Sequence, residues 1–254
     1  MVITSESNKT IKWLESLRVK KYRQENSAFL AEGERLVKDA LHYQTPKMLI
    51  FSESYYHSHD CTFCEEPFVL SDSLFRKIAE TVNPQGIMAV FPMQKEDFRN
   101  FDGKDGILLL NRIMDPGNMG TILRTAEAAG FSHIVADKGC VDIYNPKAVR
   151  STMSSLFRVH IYQQEDLCDV MAALKPEYQI YAAAYDETAV SVFQTSFPKQ
   201  SAVIIGNEAN GIETAILEKA DQITYIPMQG NIESLNASVS AAILMYEYYR
   251  QNSS

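Results

Sequence analysis

In the stretch Ile107-Leu-Leu-Leu-Asn-Arg-Ile-Met-Asp-Pro-Gly-Asn-Met-Gly-Thr-Ile-Leu-Arg124, a continuously apolar run gives way to a polar loop and then to a helical pattern. Such a run is typical of a parallel strand that is covered on both faces. Asp115 followed by Pro116 predicts the start of a helix, because Asp caps helix N-termini well and Pro suits the first turn. Open α/β proteins bind ligands in loops at the carboxyl ends of their strands. The stretch therefore predicts an α/β fold with a binding site at the end of this strand.

Two more segments rich in glycine and asparagine lie farther along the chain. One is Gly206-Asn-Glu-Ala-Asn-Gly211, and the other is Ile226-Pro-Met-Gln-Gly-Asn-Ile-Glu-Ser-Leu-Asn-Ala-Ser238. Apolar strand patterns precede them at Ala202–Ile205 and Gln222–Ile226. Three loops of this kind predict one site that is assembled from distant parts of the chain.

The rest of the chain alternates strand and helix patterns on either side of a break near residue 100. Before the break, the sequence predicts helical structure over 8–43, strands at Met48–Phe51, Phe68–Leu70 and Gly86–Phe91, and a capped helix at Ser71–Glu80. After it, further strands are predicted at His133–Ala136 and Tyr178–Ala184, and helices at about Met119–Ala129, Pro146–Leu156, Glu165–Leu174, Glu213–Ala220 and Asn236–Tyr249. The predicted organisation is a smaller α/β domain (1–95), a charged linker (96–105) and a larger α/β domain (106–254) with a parallel sheet.

The composition is that of an ordinary globular protein, with 46% apolar and 22% charged residues and a formal net charge of -8. No apolar run approaches the roughly 18 residues of a membrane helix. The first residues also lack the apolar core of a signal peptide. Four cysteines in 254 residues do not indicate a disulfide framework. We therefore expect a cytoplasmic protein that does not insert into membranes.

A basic stretch near the N-terminus contrasts with the acidic chain as a whole. Between residues 8 and 24 the only acid is Glu15, and six cations are present: Lys9, Lys12, Arg18, Lys20, Lys21 and Arg23. Such a cluster suits either a phosphate-binding face or a solvated helix face. Composition alone favours the solvated face.

The polar residues of the three segments have alternative roles that spacing does not separate. Arg124 could clamp a phosphate or carboxylate, or pair with Glu127 on a helix surface. Ser234 and Asn236 could orient a substrate or cap the helix that follows. Glu208 would repel an anion, so its loop suits a ligand with hydroxyls, an amine or a positive centre. From spacing alone, surface pairing and helix capping are the simpler interpretations.

Two other site patterns are weaker. A compact group of potential zinc ligands, His57, His59, Cys61 and Cys64, lies in a predicted loop between two strands. Its spacing is tight for a tetrahedral site, and we predict no metal centre. A nicotinamide-dependent dehydrogenase is disfavoured, because neither domain has a G-x-G-x-x-G turn after its first strand.

In this order, the three segments resemble the signature motifs of the SpoU (TrmH-type) branch of the SPOUT RNA methyltransferases. The resemblance covers residues 105–251 and includes Asn145–Phe157, which matches a family stretch between the first two motifs. In that stretch Thr152 and Ser154 stand where the family usually has Ser and Gly. Both residues are small, so we expect the changes to matter little. The N-terminal domain is similar to a ribosomal-protein-like RNA-binding domain, most recognisably over Arg23–Arg35.

The resemblance implies an α/β domain tied as a deep trefoil knot, a homodimer, and S-adenosylmethionine as the cofactor. It implies methylation of a ribose 2′-hydroxyl of RNA, with large-subunit (23S-type) ribosomal RNA as the first candidate. A tRNA substrate is one alternative, and a non-catalytic RNA-binding or assembly protein on the same scaffold is another. The apolar last helix is compatible with a dimer interface and equally with burial inside its own domain.

The resemblance also implies a role for individual residues. The expected cofactor contacts, largely through backbone groups, are Gly206, Ile226 and Leu235. The expected catalytic residues are Asn118, Arg124, Glu208, Ser234 and Asn236, with Arg124 contacting the target ribose-phosphate. With the family in view, the basic face is better interpreted as an RNA surface, made of Lys9, Lys12, Arg18, Lys20, Lys21, Arg23, Arg35, Lys147 and Arg150.

Overall fold

The computed structural model describes residues 2–230, 232 and 234–253, apart from the side chain of Gln164. The elements, in chain order, are β1 (Val2–Ile3), α1 (Lys9–Ser16), α2 (Lys20–Asn26), β2 (Ala28–Glu32), α3 (Glu34–Ala40), β3 (Met48–Ser52), α4 (Glu53–Ser58), β4 (Phe68–Leu70), α5 (Asp72–Ile78), β5 (Ile87–Pro92), β6 (Ile107–Leu110), α6 (Pro116–Ala128), β7 (His133–Asp137), α7 (Pro146–Thr152), β8 (His160–Glu165), α8 (Leu167–Leu174), β9 (Gln179–Ala183), β10 (Val190–Ser191), β11 (Ser201–Ile205), α9 (Thr214–Leu217), β12 (Gln222–Tyr225) and α10 (Ala237–Asn252). The chain divides into two compact units. The first contains the residues up to Gln94 together with Tyr144–Phe157, and the second contains Lys95–Ile143 and the residues from Arg158 onward.

The second unit contains a seven-stranded parallel sheet in the order β10-β12-β9-β11-β6-β7-β8. Every residue of β6 and β11 is buried, as their apolar sequences predict for strands covered on both faces. Because the strands are parallel, the loops after β6, β11 and β12 leave the sheet at the same edge. The three motif segments therefore meet where the sequence predicts a site. The trefoil knot stays a prediction.

The first unit contains a five-stranded mixed sheet in the order β1-β4-β3-β5-β2. β1, β4 and β3 are mutually parallel, whereas β5 runs antiparallel to both β3 and β2. Its core joins one face of the sheet to α1 and α5 through Ile11, Leu14, Leu74 and Phe75. The predicted α/β character of this part of the chain is confirmed.

The segment Tyr144–Phe157 belongs to the first unit although it lies in sequence between β7 and β8. The ring of Tyr144 lies 4.6 Å from that of Phe29, and the ring of Phe157 lies 4.8 Å from that of Phe91. These aromatic contacts bury the segment on residues far from it in sequence. The predicted domain boundaries, which run continuously along the chain, stay a prediction.

Ser154 adopts a left-handed backbone conformation, with φ of 75°, directly after Met153 at 49°. Glycine adopts this conformation without a steric penalty, whereas other residues do not. The glycine that is usual in the resembling family therefore has a conformational reason, and the replacement matters more than its small size suggests. The Ser154 hydroxyl compensates in part by donating a hydrogen bond to the carboxylate of Asp39.

Four strands lie where the sequence predicts none: β1, β2, β8 and β10. β2 falls inside the region 8–43 that is predicted to be helical, and it pairs antiparallel with β5. Its Ala, Leu and Glu residues favour helices, so sheet pairing and the burial of Phe29 override the local preference. β8 covers His160–Glu165 at the edge of the larger sheet. It was not predicted because several of its residues are polar, so it lacks the continuous apolar run of the central strands.

A helix also occupies the segment that was expected to be a loop between two strands. α4 begins after Ser52, whose hydroxyl accepts a hydrogen bond from the N–H of Tyr55 at 3.2 Å. His59 follows this helix and stacks on Tyr55, with ring centroids 3.9 Å apart.

Among the residues with described positions, no helix is both long and apolar enough to cross a bilayer.

Candidate active site

The first motif loop is held by a capped helix start. The carboxylate of Asp115 accepts a hydrogen bond from the N–H of Asn118 at 2.8 Å, and Pro116 occupies the first turn of α6. The predicted cap is confirmed. Asn118 sits in the first turn of the helix, where its side chain projects half-exposed from the carboxyl edge of the sheet.

The second motif loop is closed on itself. The N–H of Asn207 donates to the carbonyl of Gly211 at 2.9 Å, and the N–H of Gly211 donates back to the carbonyl of Asn207 at 3.0 Å. A Cβ atom on Gly206 would lie 2.5 Å from the carbonyl carbon of Gly211, so only glycine permits this closure. The loop therefore holds Glu208, which directly follows Asn207 of this closing pair, in a fixed position.

The side chains of Glu208, Asn118 and Asn236 form a continuous hydrogen-bonded row across the three motif segments. Asn118 Nδ2 donates to Glu208 Oε1 at 2.6 Å, and Asn236 Nδ2 donates to Asn118 Oδ1 at 3.0 Å. Asn236 also caps α10, since its Oδ1 accepts the N–H of Ser238 at 2.9 Å. The helix-capping role that the sequence offered for Asn236 is confirmed, and its catalytic role stays a prediction.

Arg124 lies apart from this row. Six residues separate it from Asn118, which on a helix corresponds to a rise of about 9 Å and a turn of about 120° away from the Asn118 face. It is exposed, and within the part of the chain that the structure describes it forms no ion pair or hydrogen bond. Glu127, its alternative partner, instead accepts from Arg158 Nε at 2.6 Å. Ser234 is also exposed, at the entry to α10, and is not part of the row.

The three residues expected to contact the cofactor lie in the second and third motif segments. Gly206 directly follows β11, Ile226 directly follows β12, and Leu235 directly precedes Asn236. All three are half-buried. Residues 227–230, after Ile226, contribute no regular secondary structure, so their backbone groups are available to an adenosyl ligand. Asn231 and Glu233 of the same segment lie outside the described residues.

The residues present suit a positively charged methyl donor. Glu208 supplies a carboxylate beside two neutral amides, and no cation pairs with it among the residues whose positions are described. A sulfonium centre is stabilised by such a carboxylate, whereas a phosphate would be repelled. Exposed apolar side chains such as Met228 could cover the adenine ring of the same ligand.

Two of the residues predicted to bind RNA donate hydrogen bonds to backbone carbonyls within the first unit. Arg23 is only 3% exposed, and its Nη1 donates to the carbonyl of Leu17 at 2.8 Å and to that of Arg18 at 2.6 Å. Arg18 in turn donates from Nη2 to the carbonyl of Ile78 at 2.7 Å and pairs with Glu80 at 3.0 Å. Both arginines donate to carbonyl groups at the ends of helices. Burial makes Arg23 unavailable as a phosphate ligand, whereas Arg18 is exposed and its RNA contact stays a prediction.

The other predicted RNA-binding residues all lie in the first unit. Four of them are exposed and make no ion pair with another described residue: Lys9, Lys12, Lys20 and Arg35. Lys21 lies 3.8 Å from Glu25, an exposed pair worth little. Lys147 and Arg150 lie on α7, and Nη1 of Arg150 is buried without a hydrogen-bond partner. Cations far apart in sequence thus lie in the same unit.

The potential zinc ligands lie in helix α4 and in the turn after it. Burial raises the pKa of the Cys61 thiol and of the Cys64 thiol, which favours protonated side chains that do not bind metal. The part of the chain with described positions contains no group of three His, Cys, Asp or Glu side chains arranged to hold an ion.

A polar cluster behind the row was missed from the sequence. Asn111, completely buried at the end of β6, donates from Nδ2 to Asp137 at 2.6 Å and to Glu213 at 2.9 Å. Arg112 pairs with Glu213 at 3.1 Å and adopts a positive φ of 56°. The available signal was an asparagine directly after four apolar strand residues, because a polar group buried there must find partners.

Comparison with known proteins agrees with this geometry. The description "SpoU rRNA Methylase family" matches residues 105–246, and "MRM3-like substrate binding domain" matches residues 8–89. The chain is 36% identical to the 23S rRNA (guanosine(2553)-2′-O)-methyltransferase RlmP of Bacillus subtilis, over 96% of this chain and 97% of the relative.

Two crystal structures from the same comparison contain the methyl donor. The AdoMet-bound rRNA methyltransferase of Sinorhizobium meliloti has a TM-score of 0.87 at 28% identity, covering 99% of this chain and 98% of that one. The SpoU methyltransferase AviRb of Streptomyces viridochromogenes in complex with AdoMet has a TM-score of 0.85 at 26% identity, covering 97% and 99%. The chain belongs to the SpoU rRNA methylase family and is a methyltransferase.

Proposed function

We propose that this enzyme transfers the methyl group of S-adenosylmethionine to a ribose 2′-hydroxyl in large-subunit ribosomal RNA. The observation that carries the proposal is the hydrogen-bonded row of Glu208, Asn118 and Asn236, which joins the three motif segments at one sheet edge. The names of the similar proteins support a ribosomal substrate and a ribose 2′-oxygen as the acceptor. A tRNA substrate is the alternative within the same chemistry.

The reaction makes a bond between the ribose oxygen and the methyl carbon and breaks the bond between that carbon and sulfur. S-adenosylmethionine supplies the electrophilic methyl group, and its sulfur leaves as a neutral thioether. The ribose hydroxyl is a poor nucleophile and must lose its proton as it attacks. Much of the remaining work is alignment of oxygen, carbon and sulfur, which a rigid site provides.

The row is suited to that alignment. Both ends of the Asn118 amide are bound, its nitrogen to Glu208 and its oxygen to Asn236. This fixes which end of the amide faces each neighbour, and the side chain cannot rotate without breaking both hydrogen bonds. We assign Asn118 the task of orienting the reacting groups, and Glu208 and Asn236 the task of holding it. Ser234, one residue before Leu235, is exposed, and we assign it the task of orienting the same groups.

Arg124 is assigned to the RNA. An exposed guanidinium without a partner among the described residues is ready to form a bidentate contact with a phosphate, which is more favourable than a contact by a single charge. It is a poor proton acceptor, because a guanidinium has five N–H donors and no acceptor atom. Its role is therefore to bind the target ribose-phosphate and to stabilise charge on the ribose oxygen.

We also propose a homodimer that covers the outer face of α10. Val239, Tyr246 and Tyr249 are between 46% and 49% exposed on this helix, although its other face packs against α6. Apolar side chains repeated along one helix face commonly mark a protein interface. A second copy of the chain is the proposed occupant. Sedimentation of Tyr246→Glu should give a monomer, with Tyr43→Glu, an exposed tyrosine of the first unit, as the matched control.

The first unit is proposed to hold the RNA. Its described cations that remain free for phosphate contacts include Lys9, Lys12, Lys20 and Arg35. The match of residues 8–89 to a substrate-binding domain supports this assignment. Because the proposed substrate is ribosomal RNA, we propose a cytoplasmic location.

The decisive test is methyl transfer from labelled S-adenosylmethionine to large-subunit rRNA and to tRNA in parallel, followed by mapping of 2′-O-methyl positions. We expect labelled rRNA with the wild-type protein and strongly reduced labelling with Asn118→Ala. Asn210→Ala, which changes an exposed amide of the second loop, should remain active. Labelled tRNA alone would favour the alternative substrate, and label on neither RNA would refute the proposal.

A further inference from the structure

The loop that carries Glu208 is fastened at both ends to the two residues that follow β6. At its start, Asn207 Nδ2 donates to the carbonyl of Arg112 at 2.9 Å. At its end, the N–H of Glu213 donates to Asn111 Oδ1 at 2.9 Å. The same strand end leads, within a few residues, into the turn that carries Asn118. Both members of the Glu208–Asn118 pair therefore depend on Asn111 and Arg112.

Asn111 is the centre of this attachment. Its side chain uses its oxygen for the backbone of Glu213 and its nitrogen for the carboxylates of Glu213 and Asp137. Its own N–H donates to the carbonyl of Ile205 at 2.9 Å, which joins β6 to the end of β11 just before the loop. The side chain is completely buried, so water cannot replace these contacts without opening the structure.

The two carboxylates explain why an amide is required at this position. Asp137 and Glu213 both accept from the single side-chain nitrogen of Asn111. The uncharged amide neutralises neither carboxylate, but it separates the two carboxylates and fixes their orientation. Asp137 is further tied to the N–H of Arg112 at 3.1 Å and to that of Gly139 at 2.9 Å. A carboxylate in place of the amide would remove the donor and add a third negative charge. No other residue type of similar size offers a donor and an acceptor in this geometry.

We infer that Asn111 is a positioning residue for methyl transfer: it acts on the reaction only by holding the 206–213 loop so that Glu208 meets Asn118. This inference rests on the proposed function for the role of Glu208. Asn111 is buried behind the loop and does not touch the reacting groups. Its removal should free the loop at its Glu213 end and let Glu208 move away from Asn118.

Two measurements separate this role from a general contribution to stability. In the first, hydrogen exchange is compared between Asn111→Ala and the wild type. Amides of residues 207–212 should exchange faster in the variant, while those of β3 in the first unit should be unchanged. This readout does not depend on any RNA substrate. Unchanged exchange in the loop would overturn the inference, whatever the enzyme methylates.

The second measurement is a double-mutant cycle on kcat with Asn111→Ala and Glu208→Ala. Misplacement of about 1 Å in a site can cost about 100-fold in rate, so we expect a loss of that order from Asn111→Ala in the wild-type background. When Glu208 is already absent, the same change should cost less than about threefold, because the residue it positions is gone. Losses that multiply in full would overturn the inference.

Control variants complete the cycle. Asn210→Ala removes an asparagine side chain from the same loop that is attached only weakly, by a 3.4 Å contact to Asn207, and it should change neither the exchange nor kcat. If Asn111→Ala does not fold, Glu213→Ala takes its place. Glu213 is exposed, and its loss removes one of the two carboxylates that accept from Asn111 and the partner of Arg112. If the wild-type protein does not methylate RNA, only the proposed function is refuted. The hydrogen-exchange result still tests whether Asn111 holds the loop, because it needs no RNA substrate.

Discussion

Asn118 donates a 2.6 Å hydrogen bond to Glu208, which lies ninety residues later in the chain. The pair joins a helix start after β6 to a closed loop after β11, and it depends on one partner donating and the other accepting. Asn118→Asp removes the donor and places two carboxylates side by side. We expect kcat to fall by at least about 100-fold, a greater loss than in Asn118→Ala, because the like charges repel.

The measurement for Asn118 is single-turnover methyl transfer to rRNA with saturating S-adenosylmethionine. Calorimetry with the cofactor alone serves as the companion, and binding should remain in both variants. An Asn118→Asp enzyme that works as well as Asn118→Ala would show that repulsion from Glu208 plays no part.

Arg124→Ala is expected to abolish methyl transfer without disturbing the fold. The residue is exposed and forms no contact that the described structure records, so the free energy of unfolding should change by less than about 0.5 kcal/mol. Arg124→Lys should recover only part of the rate, because a lysine cannot form a bidentate contact with phosphate. Arg99→Ala, which changes another exposed arginine of the same unit, is the matched control. Near-normal turnover in Arg124→Ala would exclude the proposed contact.

The double change Lys20→Ala, Lys21→Ala should weaken RNA binding and flatten its dependence on salt. Each phosphate contact that is lost reduces the slope of log K against log salt by about 0.7 to 0.9, so two contacts give a change of about 1.5. Filter binding at several salt concentrations measures it, with Lys138→Ala, Lys219→Ala in the second unit as a control pair. Equal slopes for both double variants would remove α2 from the RNA surface.

Arg23→Ala should behave differently from the lysine variants. Its guanidinium is buried on the carbonyls of Leu17 and Arg18, which would lose their donor. We expect the free energy of unfolding to fall by about 1 to 3 kcal/mol, while Arg35→Ala, at an exposed site, leaves it nearly unchanged. Urea denaturation of both variants decides the matter. A stable Arg23→Ala protein with a reduced salt slope would return Arg23 to the RNA surface.

Ser154→Gly and Ser154→Ala separate backbone strain from hydrogen bonding. Both variants lose the hydroxyl that binds Asp39, but only glycine relieves the positive φ. We therefore expect Ser154→Gly to be more stable than Ser154→Ala by about 1 kcal/mol. Thermal denaturation compares them directly, and equal stability would mean that residue 154 carries no strain.

The sequence predicted the larger sheet well because its strands are apolar on both faces. Ile107–Leu110 is a strand as expected, and the loop after it starts a helix capped by Asp115. β2 was predicted as helix because pairing with β5, a long-range contact, outweighs the preferences of its residues. Local patterns carry no information about a partner that lies far along the chain.

The site was predictable in its loops and less so in its contacts. A resemblance named Asn118, Glu208 and Asn236, but only the fold reveals that they form a row. The roles assigned to them stay predictions. Arg23 was predicted to bind RNA because, in a basic stretch of sequence, an arginine that faces solvent cannot be distinguished from one that donates to a buried carbonyl. Asn111 escaped because its partners, Asp137 and Glu213, are remote in sequence.

The inserted segment Tyr144–Phe157 has a consequence for any exchange of the first unit, which is the proposed RNA-binding module of this enzyme. A graft made at a single junction after Gln94 would leave Phe29 and Phe91 without the rings that cover them. A functional chimera would need three splice points, at 94/95, 143/144 and 157/158, so that both pieces of the module travel together. The two pieces of the first unit would have to be exchanged together, although the second piece is encoded between β7 and β8 of the other unit.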